Sequence, residues 1–181
     1  MHKEAGLPSP LDSFNIKCVK RGLLRCKSCM PIQKIPMTIS MLEKCFNVLC
    51  HFDKMDISFW ALVLIGFYGF LRKATLVPKN VDKPSDYIVF SDVEFHDGFF
   101  YLSVRKTKTL QFSQRSLKLP FFRNKNHKLC PVKAVTNLIR IHSRNPHTPL
   151  FSFKKSDGSN SIWTYSKFSK FLKSACTRAG L

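Results

Sequence analysis

Apolar residues recur at helical spacing along most of this chain and switch to alternation in its middle. Phe14, Cys18 and Leu24 fall loosely on one side of a segment that reads as helical from Ser13 to Cys26, and Pro31 and Pro36 then read as a linker. Met41, Leu42, Cys45, Phe46 and Leu49 return at helical intervals, with Ser40 and Glu43 at capping-box spacing at their head. Asp53 to Asp56 are expected to break that helix. Ser58 to Leu71 is apolar nearly all round, the mark of a helix that sits centrally. Ile88 to Phe95 and Phe99 to Arg105 read as strands flanking His96-Asp97-Gly98, and Asp-Gly between such runs predicts a hairpin. Arg115 to Phe121 alternates Leu117, Leu119 and Phe121 against Ser116 and Lys118, a third strand reached through a loop over 106–114. Pro131 suits the first position of a helix over Val132 to Arg144, with Val135, Leu138, Ile139 and His142 on one face. Residues 145–162 read as loop, anchored by Leu150 and Phe151. A last helix from about Thr164 carries Phe168, Phe171, Leu172, Ala175 and Cys176 as its stripe, with Lys167, Lys170 and Lys173 pointing elsewhere and Gly180 as its cap. The expected fold is α+β and mainly helical, with a small three-stranded antiparallel sheet. Residues 1–36 read as a basic linker or remnant and 37–181 as the domain proper.

Composition supports a packed domain. Of 181 residues 44% are apolar and 17 are phenylalanine, enough to offset the ordering entropy that keeps polar chains disordered. The longest uncharged apolar run, Phe59 to Leu71, has 13 residues, too few to cross a bilayer, so no membrane partner is expected. The basic stripe of the last helix could lie on an anionic surface, but five apolar side chains on one face are more simply core. Seven cysteines at irregular spacing, with no signal peptide ahead of them, read as an intracellular, reduced protein, and with DNA as partner a nuclear one. Cys26-Lys27-Ser28-Cys29 would need two further ligands from Cys45, Cys50 or His51 to hold zinc, so unpaired thiols are the simpler reading and no metal or other cofactor is expected.

Charge changes the picture more. Thirty lysines and arginines face 11 acids, a formal net charge of +19 spread over every segment, and such a domain usually meets a polyanion. No glycine-rich phosphate loop and no Ser/His/Asp set occurs at recognisable spacing, and no small-molecule ligand is expected. What does occur is an apolar run ending abruptly at Arg72, and a predicted hairpin carrying Arg105-Lys106-Thr107-Lys108-Thr109 at its tip. A guanidinium is always protonated and can grip two phosphate oxygens in fixed geometry. A lysine on a hairpin can reach a phosphodiester and donate a proton to its leaving oxygen. An arginine ending an apolar helix also suits the helix C-terminus, and lysines on a loop suit solvent, so each residue has an ordinary reading beside the chemical one.

Gly69-Phe70-Leu71-Arg72 resembles the first arginine box of the tyrosine recombinases, the phage-integrase type of DNA breaking-rejoining enzyme. The tip at 105–109 resembles that family's hairpin lysine, with Lys108 the better match. Leu129-Cys130-Pro131-Val132-Lys133-Ala134 and the Gly-Phe-Leu-Arg-Lys wording look like recombinases of DIRS-like and Crypton-like eukaryotic mobile elements. The resemblance covers roughly residues 13–181. It implies the breaking-rejoining catalytic-domain fold, with residues 1–36 a remnant of the core-binding domain and 37–181 its N-terminal two-thirds. It implies double-stranded DNA as partner, a homo-oligomer on that DNA, and recombination and integration by phosphotyrosyl exchange. That exchange needs no high-energy cofactor, because the covalent intermediate conserves the bond energy. Arg72 would be the phosphate clamp and Lys108 the general acid. Lys73, Arg105, Lys106 and Arg115 would contact DNA.

The chain departs from the family in two ways. Thr75 stands where members carry an acidic residue, three positions after the arginine. The His-x-x-Arg box and the nucleophilic tyrosine are not among the 181 residues; His142-Ser143-Arg144 has the wrong spacing and Tyr165 lies at the start of the last helix. The expectation is a domain truncated at its C-terminus that does not cut DNA by itself. Three functions stay open: part of a recombinase, a non-catalytic DNA-binding protein derived from a mobile element, and a basic structural RNA-binding protein.

Overall fold

A computed structural model describes residues 13–27, 35–78, 88–105, 116–141 and 145–181, without the side chains of Arg25 and Lys27. The chain forms two units, Met1–Pro36 and Met37–Leu181. In the first, the predicted basic segment is helix α1, Phe14–Lys27, with Lys17, Lys20 and Arg21 along it.

The second unit is mixed α+β. Its first helix, α2, runs Ile39–Asn47, and its N-cap is Thr38, whose hydroxyl accepts from the Met41 amide. Ser40 is therefore already inside the helix, and the capping box expected from Ser40 and Glu43 does not form. Helix α3 runs Lys54–Tyr68, starting four residues before the expected Ser58. Asp53 begins it rather than breaking it: its carboxylate accepts from the Asp56 amide at 3.1 Å, supplying one of the orphan donors of the first turn. Phe59, Ala61, Leu62, Leu64 and Ile65 are fully buried, which is what an apolar helix without a polar face requires. A short helix α4, Lys73–Leu76, follows and folds back on α3.

The sheet has the order β1-β2-β3: Val93–His96, Phe99–Val104 and Leu117–Phe122, antiparallel throughout. The predicted hairpin holds, with Gly98 at φ 79° in the turn. Its first strand is shorter than expected, because Phe90–Asp92 coil into a single 3-10 turn. On β2 every second residue, Phe100, Leu102 and Val104, is buried against the helices, while Phe99, Tyr101 and Ser103 face the other way. Pro120 lies in β3, an edge strand.

Helix α5, Pro131–Ile141, opens on the expected proline and packs on α3 through Val135 and Leu138. His142 and Arg144 lie outside the described residues. Residues 145–162 are not simply loop: β4 (Ser152–Lys154) pairs with β5 (Asn160–Ile162) around Gly158, while Leu150 and Phe151 are buried as expected. Asp157-Gly158 repeats the turn signal of Asp97-Gly98, but the strands are too short and too polar to alternate visibly. Helix α6, Tyr165–Arg178, closes the core. Phe59, Trp163, Phe168 and Phe171 pack as a cluster of tilted and edge-on rings 4.7–6.4 Å apart, and Trp163 donates to the buried Ser58 hydroxyl at 3.1 Å. Lys167 does not point away from this core. Its ammonium lies 4.3 Å from the Phe153 ring centre and donates to Ser161; burial, then Lys155, lowers its pKa. No helix among the described residues is long and apolar enough to cross a membrane.

Candidate nucleic-acid interface

Arg72 owes its place to the way α3 ends. The Phe70 amide donates to the Phe67 carbonyl and the Leu71 amide to that of Gly66, the paired bonds of a Schellman motif. Phe70 holds the left-handed position of that motif at φ 49°, where glycine is usual, and its ring is 94% exposed. Gly69 is needed for a different reason. A methyl group there would lie 2.8 Å from the Ile65 carbonyl oxygen and 3.0 Å from the Phe121 ring, so only a bare Cα lets the turn close against β3. At Gly66 a methyl would sit 2.9 Å from the Cδ1 tip of Leu76, a side-chain end that can move aside. Gly69 thus lets the reversal close, and Arg72 leaves it in extended conformation as the residue that caps α4.

The Arg72 side chain is exposed, and among the described residues no hydrogen bond or ion pair engages its guanidinium. Its own carbonyl accepts from the Thr75 amide at 2.8 Å, so the backbone of Thr75 steadies the turn. Lys73 is tied down: its ammonium donates to the Ser169 hydroxyl at 2.5 Å and stands 3.4 Å from the centre of the Tyr165 ring, a cation–π contact that joins α4 to α6. Arg105 is likewise paired, with the buried carboxylate of Asp92 at 2.5 Å, yet its own side chain stays 55% exposed. Asp92 also accepts from the Val89 amide, so the pair fixes the start of β1 to the end of β2. Nothing in the sequence pattern marked Asp92 as that partner. Lys106, Lys108 and Arg115 lie outside the described residues. They belong to the connection between β2 and β3, which leaves the sheet at Val104 and returns at Leu117. Gly69 meets β3 at Phe121, four residues farther on and, at about 3.3 Å per residue, some 13 Å along the strand.

A second basic feature was not marked by any motif. A cleft of about 260 Å³ is lined by His51, Trp60, His127, Lys128 and Lys133, with Asp56 at its edge. His51 stacks on Phe46 at 4.0 Å, and Trp60 donates to the Lys128 carbonyl. Burial raises the Asp56 pKa above the ordinary carboxylate value, although its bond from the Cys50 amide at 2.7 Å and the nearby Arg178 work the other way. Among the described residues no group of three or more His, Cys, Asp or Glu side chains could hold a metal ion; Cys29 lies outside them. A scan against protein-family models and a search of curated proteins found no match to this chain.

Proposed function

We propose that the chain binds double-stranded DNA as a portion of a tyrosine recombinase, gripping backbone phosphate with Arg72 and, from the β2–β3 connection, with Lys108. The observation that supports this most is the Arg72 turn. A largely buried helix ends in a tight reversal, built on Gly69 and a left-handed Phe70, that leads directly to one arginine, and no described residue engages its guanidinium. An arginine placed only for the helix C-terminus would need none of that. A net charge of +19 supplies the non-specific attraction to a polyanion. In a complete site, arginine would stabilise the charge gathering on the attacked phosphate and lysine would protonate the leaving oxygen. With neither the His-x-x-Arg box nor the family's nucleophilic tyrosine in its sequence, the chain by itself binds without cutting.

The test is the salt dependence of binding to a labelled duplex. The log–log slope should be steep, about −0.9 per phosphate neutralised, and Arg72→Ala and Lys108→Ala should each flatten it by about one unit or less. A slope unchanged in both variants overturns the assignment of these side chains to phosphate. Tighter binding to an RNA hairpin than to the duplex would favour the RNA-binding alternative. A covalent protein–DNA adduct on a nicked substrate would overturn the non-cutting reading.

A further inference from the structure

The face of the sheet turned away from the helices carries a continuous set of aromatic rings. The register puts His96, Phe99 and Phe122 in one row across three strands, with Tyr101 beside Phe99 in the next. His96 stacks parallel on Phe99 at 4.9 Å and 11°, Tyr101 stands edge-on to both at 5.3–5.5 Å, and Phe122 lies 5.5 Å from Phe99. Phe122 is 63% exposed. Rings are normally placed to bury area; here they are joined into one patch on the open side of a sheet whose other side already supplies the core.

Charge decides what the patch fits. Lys118 lies on the same face, paired with Glu94, and the exposed Arg123 and Lys125 follow within three residues of Phe122, where with Phe122, Pro120, Phe121 and Tyr68 they line a cleft at the end of β3. Of the acids in this hairpin, Glu94 is on the face, but its carboxylate is already shared between Lys118 and His96, each at 3.1 Å; Asp97 sits in the turn. An apolar protein surface would gain nothing from that cationic rim. Unpaired bases would, because their rings stack on aromatic side chains while their phosphates reach lysine and arginine.

We propose that the outer face of the β1-β2-β3 sheet is a stacking platform for the unpaired bases of a single nucleic-acid strand, with Phe122, Phe99 and Tyr101 as the stacking rings and Arg123 and Lys125 as phosphate contacts. It deepens the nucleic-acid reading above, on which it rests through the charge. Strand exchange exposes unpaired bases, and a surface that holds them would act beside the duplex-binding Arg72 turn rather than in place of it.

The test uses the full chain and three labelled probes of equal phosphate number: a 12-mer of deoxythymidine, the same backbone with abasic sites throughout, and a duplex. At one salt concentration the thymidine 12-mer should bind at least about tenfold tighter than the abasic strand. Phe122→Ala should weaken thymidine binding by about fivefold or more, the alanine-substitution effect of one lost base stack, and leave abasic and duplex binding unchanged. Phe122→Trp should keep or strengthen it. Because Phe122 is mostly exposed, its alanine variant should keep the wild-type thermal midpoint, and Tyr101→Ala gives a second variant on the same face. Equal binding of thymidine and abasic strands overturns the platform while a salt-steep duplex binding leaves the DNA reading standing; no binding to any probe overturns both. A concentration-dependent dimer that Phe122→Ala abolishes would assign the face to a second copy instead and also overturn the proposal.

Discussion

At Phe70 a phenylalanine occupies a backbone position that Gly180 fills at the end of α6, where the Leu181 and Gly180 amides close the same pair of bonds at φ 69°. The left-handed conformation costs a side-chain-bearing residue about 1–2 kcal/mol, and the exposed ring recovers little of that by burial. Phe70→Gly should therefore raise the unfolding free energy by about 1 kcal/mol, read from the denaturant midpoint at unchanged slope. If duplex affinity falls in the same variant, the ring itself contributes to binding. At this scale the sequence was informative about identity and poor about conformation. Arg72 stood out because an apolar run stops there. That Lys73 would be held by Tyr165 and Ser169, or Arg105 by Asp92, depends on contacts 96 and 13 residues apart in the chain that no local pattern encodes.

Among the elements, α3 was legible from an unbroken apolar run and β2 from strict alternation. Boundaries were less so, because a cap can be read as a breaker. Asp53 looked like the end of one helix and is the start of the next. The β4–β5 hairpin escaped because its strands have three residues each, too few to show alternation. Contacts between elements carry a pH signature. Buried in α2, the Cys45 thiol is pushed from its ordinary 9.0 up to about 11, chiefly by burial and then by the adjacent Cys176 of α6. The folded chain holds that proton more tightly than the unfolded chain. Its contribution to stability is whole below pH 9 and is lost as the pH rises toward 11. Urea midpoints should fall across that window, and Cys45→Ala should flatten the fall.

The whole molecule carries far more positive charge than its internal ion pairs can absorb. Self-repulsion of this kind is screened by salt, over about 10 Å at 0.1 M. Raising sodium chloride from 0.05 to 0.5 M should therefore raise the thermal midpoint by a few degrees while weakening duplex binding by orders of magnitude. A midpoint that falls in step with affinity would mean that the charges are paired in ways the described residues do not show. The mixed α+β architecture was readable from the order of periods. The aromatic face of the sheet was not: His96, Phe99, Tyr101 and Phe122 become neighbours only once the register is known.

That sheet has open sides, and Pro120 bears on how they can be used. Proline has no backbone N–H to offer, and it is tolerated in sheets where the missing donor faces outward. Midway along β3, it leaves a gap and a ring where an added strand would need a hydrogen bond, and Lys118 two residues earlier brings a charge to the same border. Edges guarded in this way resist recruitment of a further strand and the ordered aggregation that begins with it. A chain with 17 phenylalanines, several of them on the outer face of this sheet, needs such a guard to stay dispersed.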